Sequence, residues 1–104
     1  MTLREWLHER DPAPPARLAG RIDAVLGQRG EADRSGVSAH CLDAAEELLT
    51  ELAARPSAGR ESALDLLTVD ALVTYAFEAA ADAPASLEST ATAAMIRLAA
   101  TARS

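Results

Sequence analysis

Apolar residues recur every three to four positions along most of this chain, which is the spacing of amphipathic α-helices. Segments rich in proline, glycine and small polar residues separate five such stretches. The clearest pattern follows Ser38 and ends before Arg55, with an apolar face and an acidic one. The apolar face carries Cys41, Leu42, Ala45, Leu48, Leu49 and Leu52. The acidic face carries Asp43, Glu46, Glu47 and Glu51. The sequence therefore predicts an all-α fold, a compact bundle of four to five helices forming one domain over residues 1–104.

The local signals for helix ends support this interpretation. Thr2 and Glu5 have the spacing of a capping box and predict a short first helix. Prolines soon afterwards end that helix, and Pro14 or Pro15 is suited to begin the second one. Ser38 is the predicted N-cap of the third helix. The second helix is expected to bury Leu18, Ile22, Val25 and Leu26.

Residues 60–81 predict a long fourth helix that is apolar around most of its circumference. Its predicted outward stripe consists of Glu61, Asp65, Thr68, Tyr75, Glu78 and Asp82. A helix with so narrow a polar stripe is expected at the centre of a bundle, wrapped by protein on nearly every side. A fifth helix begins at Pro84, and its predicted inward face carries Leu87, Ala91, Ala94, Met95, Leu98 and Ala102.

Asp70 and Thr74 lie one helical turn apart among the apolar positions of the fourth helix. One interpretation is a buried polar pair that lines a pocket or clamps a neighbouring helix, since a buried carboxylate needs partners. The other is that the helix is kinked near Leu67 and Thr68, with Thr68 as a new N-cap. Asp70 would then lie in a first turn, and Thr74 would bond its own backbone.

Composition restricts the classes of function. The net charge of −6 argues against nucleic-acid binding, which requires clustered cations. No uncharged apolar run is long enough to span a membrane, and the first residues do not resemble a secretory signal. Cytoplasmic location is therefore expected. An alanine-rich chain whose basic residues are all arginine is typical of GC-rich bacterial genomes.

The sequence contains no complete catalytic or metal-binding pattern. Cys41 is the only cysteine, and its place on an apolar stripe favours core packing over nucleophilic chemistry. His8 and His40 have too few neighbouring ligand residues for a metal site. We therefore expect no enzyme activity, no cofactor and no metal. Trp6 either packs into the bundle and fixes the first helix, or serves as an anchor for a partner. The acidic face of the third helix is either solvated or complementary to a basic partner.

Residues 70–78, Asp-Ala-Leu-Val-Thr-Tyr-Ala-Phe-Glu, resemble a helix that lines the prenyl site of trans-isoprenyl diphosphate synthases. The resemblance covers residues 66–102, with Val69 where that family has glycine and Asp70, Leu72, Ala76 and Phe77 at matching positions. The family binds magnesium and diphosphate through two Asp-rich motifs, and this chain has no adjacent Asp-Asp pair. The resemblance thus implies an all-helical, non-catalytic relative rather than a prenyl transferase.

These observations predict a non-enzymatic interaction module that forms a homodimer or serves as an accessory subunit of a complex. The fourth helix has more apolar circumference than one core-facing side can use. The alternative is a carrier of a small apolar ligand, isoprenoid or acyl, in a pocket around Phe77, Met95 and Trp6. In that case Asp70 and Thr74 would orient the polar end of the ligand.

Overall fold

A computed structural model shows the all-α bundle that the hydrophobic pattern predicts. It describes residues 1–55, 59–82 and 84–103, with backbone alone for Glu61, residues 84–90 and Arg103. The five α-helices are α1 (Leu3–His8), α2 (Ala16–Leu26), α3 (Val37–Ala54), α4 (Arg60–Ala81) and α5 (Pro84–Arg103). In the described residues no strand forms, although Thr2 and Asp33 make an isolated β-bridge.

The predicted capping box fixes the start of α1. The Glu5 amide donates to Thr2 Oγ1 at 3.2 Å, and the Thr2 amide donates to Glu5 Oε1 at 2.9 Å. The bond from the Thr2 amide to the Glu5 carboxylate, helped by the Thr2 hydroxyl, also holds the pKa of Glu5 below its ordinary value. With its first turn satisfied, α1 buries Leu3, Trp6 and Leu7 as the pattern predicts.

The connection from α2 to α3 differs from the prediction. Gly27, at φ 52°, ends α2, and two short 3₁₀ segments follow at Gly27–Glu31 and Arg34–Gly36. Gly36, not Ser38, is the N-cap of α3. The prediction for Ser38 was wrong because its hydroxyl donates instead to the Ala76 carbonyl of α4, at 3.0 Å. Ser38 therefore links α3 to α4.

Helices α3 and α4 form the most extensive helix pair, and the core lies around them. The predicted apolar face of α3 is confirmed, with four buried residues and half-buried Leu49 and Leu52. The buried four are Cys41, Leu42, Ala45 and Leu48. From α4, Val69, Leu72 and Ala76 complete this interface. Close packing of the pair positions the outer helices.

The orientation of α4 contradicts the sequence-based prediction. Asp65, Thr68 and Tyr75 of the predicted outward stripe are buried, whereas Leu66 and Leu67 are more than half exposed. Asp65 lies inside because two arginines bind its carboxylate: Arg21 Nε donates at 2.7 Å and Arg55 Nη2 at 3.2 Å. Helix α4 is therefore not wrapped on nearly every side.

The predicted kink in α4 was also wrong. The helix runs without a break from Arg60 to Ala81. Thr68 is not an N-cap, because its hydroxyl donates to the Leu64 carbonyl one turn earlier, at 2.8 Å. This intrahelical bond satisfies a hydroxyl that is fully buried.

Candidate functional site

Asp70 and Thr74 lie on the exposed side of α4 and do not form a buried polar pair. The Thr74 hydroxyl donates to the Asp70 carbonyl at 2.9 Å, so it bonds its own helix backbone. Both residues line an open, polar groove beside Arg10, Asp11 and Glu78. The interpretation of a buried clamp was therefore wrong.

Trp6 is a core residue with 4% of its surface exposed. Its ring meets Tyr75 edge to face, with centroids 6.4 Å apart. The guanidinium carbon of Arg10 lies over the Trp6 ring, 3.8 Å from its centroid, and Arg10 Nε donates to the Trp6 carbonyl at 3.1 Å. These contacts agree with the interpretation of Trp6 as the residue that fixes α1.

Met95 does not face the core as predicted, because 73% of its surface is exposed. Phe77 is half-buried and packs against the core. A side chain as exposed as Met95 cannot share an enclosed pocket with buried Trp6. The described residues thus do not bring Met95 together with Trp6 as the predicted ligand pocket requires. Of the other predicted inward positions of α5, Ala94 is buried, Ala102 is exposed, and the Leu87 side chain lies outside the described residues.

Most of the exposed large hydrophobic residues lie on α4 and α5. In the described part of the chain, these two helices supply four of the five such side chains, the fifth being Met1. We call them the α4–α5 face: Leu66 (54% exposed), Leu67 (55%), Met95 (73%) and Ile96 (65%). Only residues 82 and 83 separate the two contacting helices, which therefore run antiparallel. Positions 66–67 and 95–96 consequently lie within about one helical turn of the same height.

The part of the α4–α5 face that α5 forms carries few charged residues. From residue 91 to 102, the exposed positions of α5 are Thr92, Ala93, Met95, Ile96, Ala99, Ala100 and Ala102. Arg97 is the one charged residue in this stretch, and it turns towards α3, where it binds Asp43 and Glu46. The surface of α5 is therefore apolar and uncharged over these three turns.

The acidic side of α3 is paired within the molecule. Arg97 bridges Asp43 and Glu46, and Arg29 donates to both oxygens of Glu47 at 2.7 and 3.0 Å. The hydrogen bonds from Arg29 hold the pKa of Glu47 below its ordinary value. Intramolecular arginines thus bind Asp43, Glu46 and Glu47, three of the four acidic residues on this side of α3.

We expect the substitution Arg97→Met to lower the free energy of unfolding by about 1 kcal/mol at low ionic strength. The loss should be smaller at high salt, because the groups are partly solvated and salt screens them. Urea unfolding at two ionic strengths measures both quantities. Arg17→Met, on the exposed surface of α2, is the matched control and should change stability little. An effect of Arg97→Met that does not depend on salt would contradict the electrostatic explanation.

A second feature, which sequence analysis missed, is a cleft of about 140 Å³ between α1 and α2, at the side of α4. Leu7, Ile22 and Tyr75 form apolar walls, and His8 and Asp23 also line it. His8 Nε2 lies 3.1 Å from Asp23 Oδ2. These two residues are fifteen positions apart, and only the packing of α1 on α2 brings them together. No local sequence signal marks the pair.

Neither a reactive thiol nor a cluster of metal ligands is found among the described residues. Cys41 is fully buried, and desolvation raises the pKa of its thiol to about 12, which leaves no thiolate for attack near neutral pH. No group of three or more metal-ligating side chains is found in the part of the chain that the structure describes. Within the same residues, no helix combines the length and the apolar character needed to cross a membrane.

The fold and the exposed face define a small all-α bundle with an apolar surface on one helix pair. Comparison of the chain with protein-family models, with curated proteins and with solved structures yields no match.

Proposed function

We propose that this protein is a self-associating helical interaction module whose α4–α5 face meets the same face of a second copy. The observation that carries the proposal is the exposure of Leu66, Leu67, Met95 and Ile96 on two adjacent helices. Apolar side chains that are scattered singly over a surface are ordinary, but grouped ones are typical of interaction sites. Burial of these side chains would supply hydrophobic free energy for association.

The charge distribution favours a second copy over a partner of opposite charge. In a two-fold symmetric dimer each residue of the interface meets the same patch of the partner, so a charged patch would repel itself. The exposed positions of α5 from residue 91 to 102 carry no charge, since Arg97 is bound to α3. Two molecules with a net charge of −6 each can therefore approach through this stretch of α5 without bringing like charges of the stretch together.

The dimensions of the face suit a dimer contact. Helices of 22 and 20 residues are each about 30 Å long and about 10 Å wide. Side by side, the two helices present an area of about 600 Å² if their outer surface is treated as a flat rectangle. Stable interfaces bury about 800 Å² on each partner, so a contact along the helix pair is of the right size.

The substitution Ile96→Glu tests the proposal, because each partner of a dimer would have to bury one new carboxylate in the apolar contact. We expect the wild-type chain to sediment as a dimer at micromolar concentration and the variant to sediment as a monomer. Ala39→Glu, an exposed position on α3, is the control and should remain dimeric. Far-ultraviolet circular dichroism should show that both variants keep the helical content of the wild type.

A wild-type chain that stays monomeric at high micromolar concentration would exclude self-association. An Ile96→Glu variant that is as dimeric as the wild type would place the interface elsewhere. The resemblance of residues 66–102 to trans-isoprenyl diphosphate synthases, and the cytoplasmic location, stay predictions. If the resemblance reflects kinship, it supports a non-catalytic helical subunit rather than an enzyme.

A further inference from the structure

The cleft between α1 and α2 differs from the α4–α5 face in position and in chemistry. It shares no residue with that face, and its walls are mainly apolar. Its volume of about 140 Å³ is below the range of about 300–1,000 Å³ of sites for drug-sized ligands. It is close to that of an engineered protein cavity of about 150 Å³ that binds benzene. The cleft therefore suits one six-membered ring.

Polar groups converge at this cleft from three helices. His8 of α1 lies 3.1 Å from the carboxylate of Asp23 on α2, and Arg4 Nε lies 3.7 Å from the same carboxylate. The Tyr75 side chain comes from α4, and its ring forms part of the wall. A few converging polar groups in an otherwise apolar concavity are characteristic of small-molecule sites.

Tyr75 closes one side of the cleft. The residue is 9% exposed and comes from α4. It lines both this cleft and the groove beside Arg10. The cleft is therefore built by side chains of three helices together with the connecting residues Ala13 and Pro14.

We propose that the cleft binds a single-ring phenol, with the ring between Leu7, Ile22 and Tyr75 and the hydroxyl hydrogen-bonded at the His8–Asp23 pair. A phenol hydroxyl can donate to the Asp23 carboxylate, which accepts hydrogen bonds only. A ring of the same size that bears a carboxylate would place two negative charges together. The site should thus prefer phenol to benzoate.

Titration of the isotope-labelled protein with phenol, followed by NMR, tests the proposal. We expect saturable shifts of the Leu7, Ala19 and Ile22 methyl groups, with weaker shifts for benzoate. Ala19→Leu fills the cleft and should weaken phenol binding by on the order of tenfold or more. Ala24→Leu makes the same change on the same helix at an exposed position outside the cleft, and should bind phenol as the wild type does.

Asp23→Asn provides a readout that does not depend on cleft filling. Removing the charge should abolish the preference for phenol, so that benzoate binds at least as well. The absence of saturable shifts with phenol, or unchanged binding by Ala19→Leu, would overturn the site. A wild-type preference for benzoate, or an unchanged preference in Asp23→Asn, would overturn the assignment of the hydroxyl to Asp23. None of these results depends on whether the protein dimerises.

Discussion

The variant Leu72→Ala should unfold with a free energy about 3 kcal/mol lower than that of the wild type. Leu72 is fully buried in α4, within the core that α3 and α4 share. Truncation removes buried methyl groups and leaves a cavity that a close-packed interior fills only in part. For a domain of 104 residues the midpoint of thermal unfolding should fall by about 10–20 °C. Urea and thermal unfolding monitored by circular dichroism measure both changes.

Leu67→Ala is the matched control, since it makes the same change in the same helix, five residues earlier. Leu67 is 55% exposed, so its truncation should cost less than about 1 kcal/mol in the monomer. Both measurements belong at a protein concentration low enough to keep the chain monomeric, because association would stabilise the wild type. Equal losses in the free energy of unfolding for Leu72→Ala and Leu67→Ala would contradict the orientation of α4 in which Leu72 faces the core and Leu67 faces solvent.

The second large effect concerns Asp65, a carboxylate that is buried between two arginines. We expect Asp65→Asn to lower the free energy of unfolding by about 2 kcal/mol at neutral pH, as for hydrogen bonds to a charged group. Hydrogen bonds to charged groups contribute about 1.5–3 kcal/mol. We expect a loss in the lower part of this range because the Arg21 and Arg55 side chains are 34% and 50% exposed. Water therefore solvates both guanidinium groups when their acceptor is changed.

The pH dependence of this effect follows from the pKa of Asp65. Hydrogen bonds from Arg21 and, to a smaller extent, from Arg55 hold the folded-state pKa below the ordinary value near 4. The carboxylate thus stabilises the fold above the unfolded-state pKa, and this contribution is lost as the pH falls through the folded-state value. The stability difference between wild type and Asp65→Asn should be constant above about pH 5 and shrink below about pH 4.

Urea unfolding of both proteins between pH 2 and pH 7 measures this difference. Asp70→Asn is the matched control on the same helix, where the side chain is exposed, and it should change stability little at any pH. If Asp65→Asn proves as stable as the wild type at neutral pH, the arginine pair does not stabilise the carboxylate. The inward orientation of Asp65 would then need another cause.

Most helix boundaries could be predicted from local signals. The capping box at Thr2 and Glu5, the ends of α4 and the start of α5 at Pro84 all agree with the structure. The start of α3 was misassigned because Ser38 has an acceptor on α4 that no local pattern reveals. Capping residues are recognised by their neighbours in sequence, and a competing partner from another helix is not visible there.

The orientation of α4 and the contents of both candidate sites could not be predicted. Hydrophobic periodicity marks a polar stripe but does not say whether distant residues will neutralise it. Asp65 is buried because Arg21, forty-four positions earlier, reaches it. The predicted pocket of Trp6, Phe77 and Met95 assumed that apolar residues face inward, whereas Met95 is exposed. His8 and Asp23 were not connected, because only the docking of α1 on α2 makes them neighbours.

Local patterns in the amino-acid sequence were enough to predict that the chain forms four to five helices and which side of α3 is buried, because these features depend on residues a few positions apart. Tertiary packing decided which side of α4 faces outward, which arginines pair with the acids, and where a cleft opens. These outcomes depend on contacts between residues far apart in the chain. A buried charge needs a partner of opposite charge. Which residue becomes that partner depends on how the helices pack against one another.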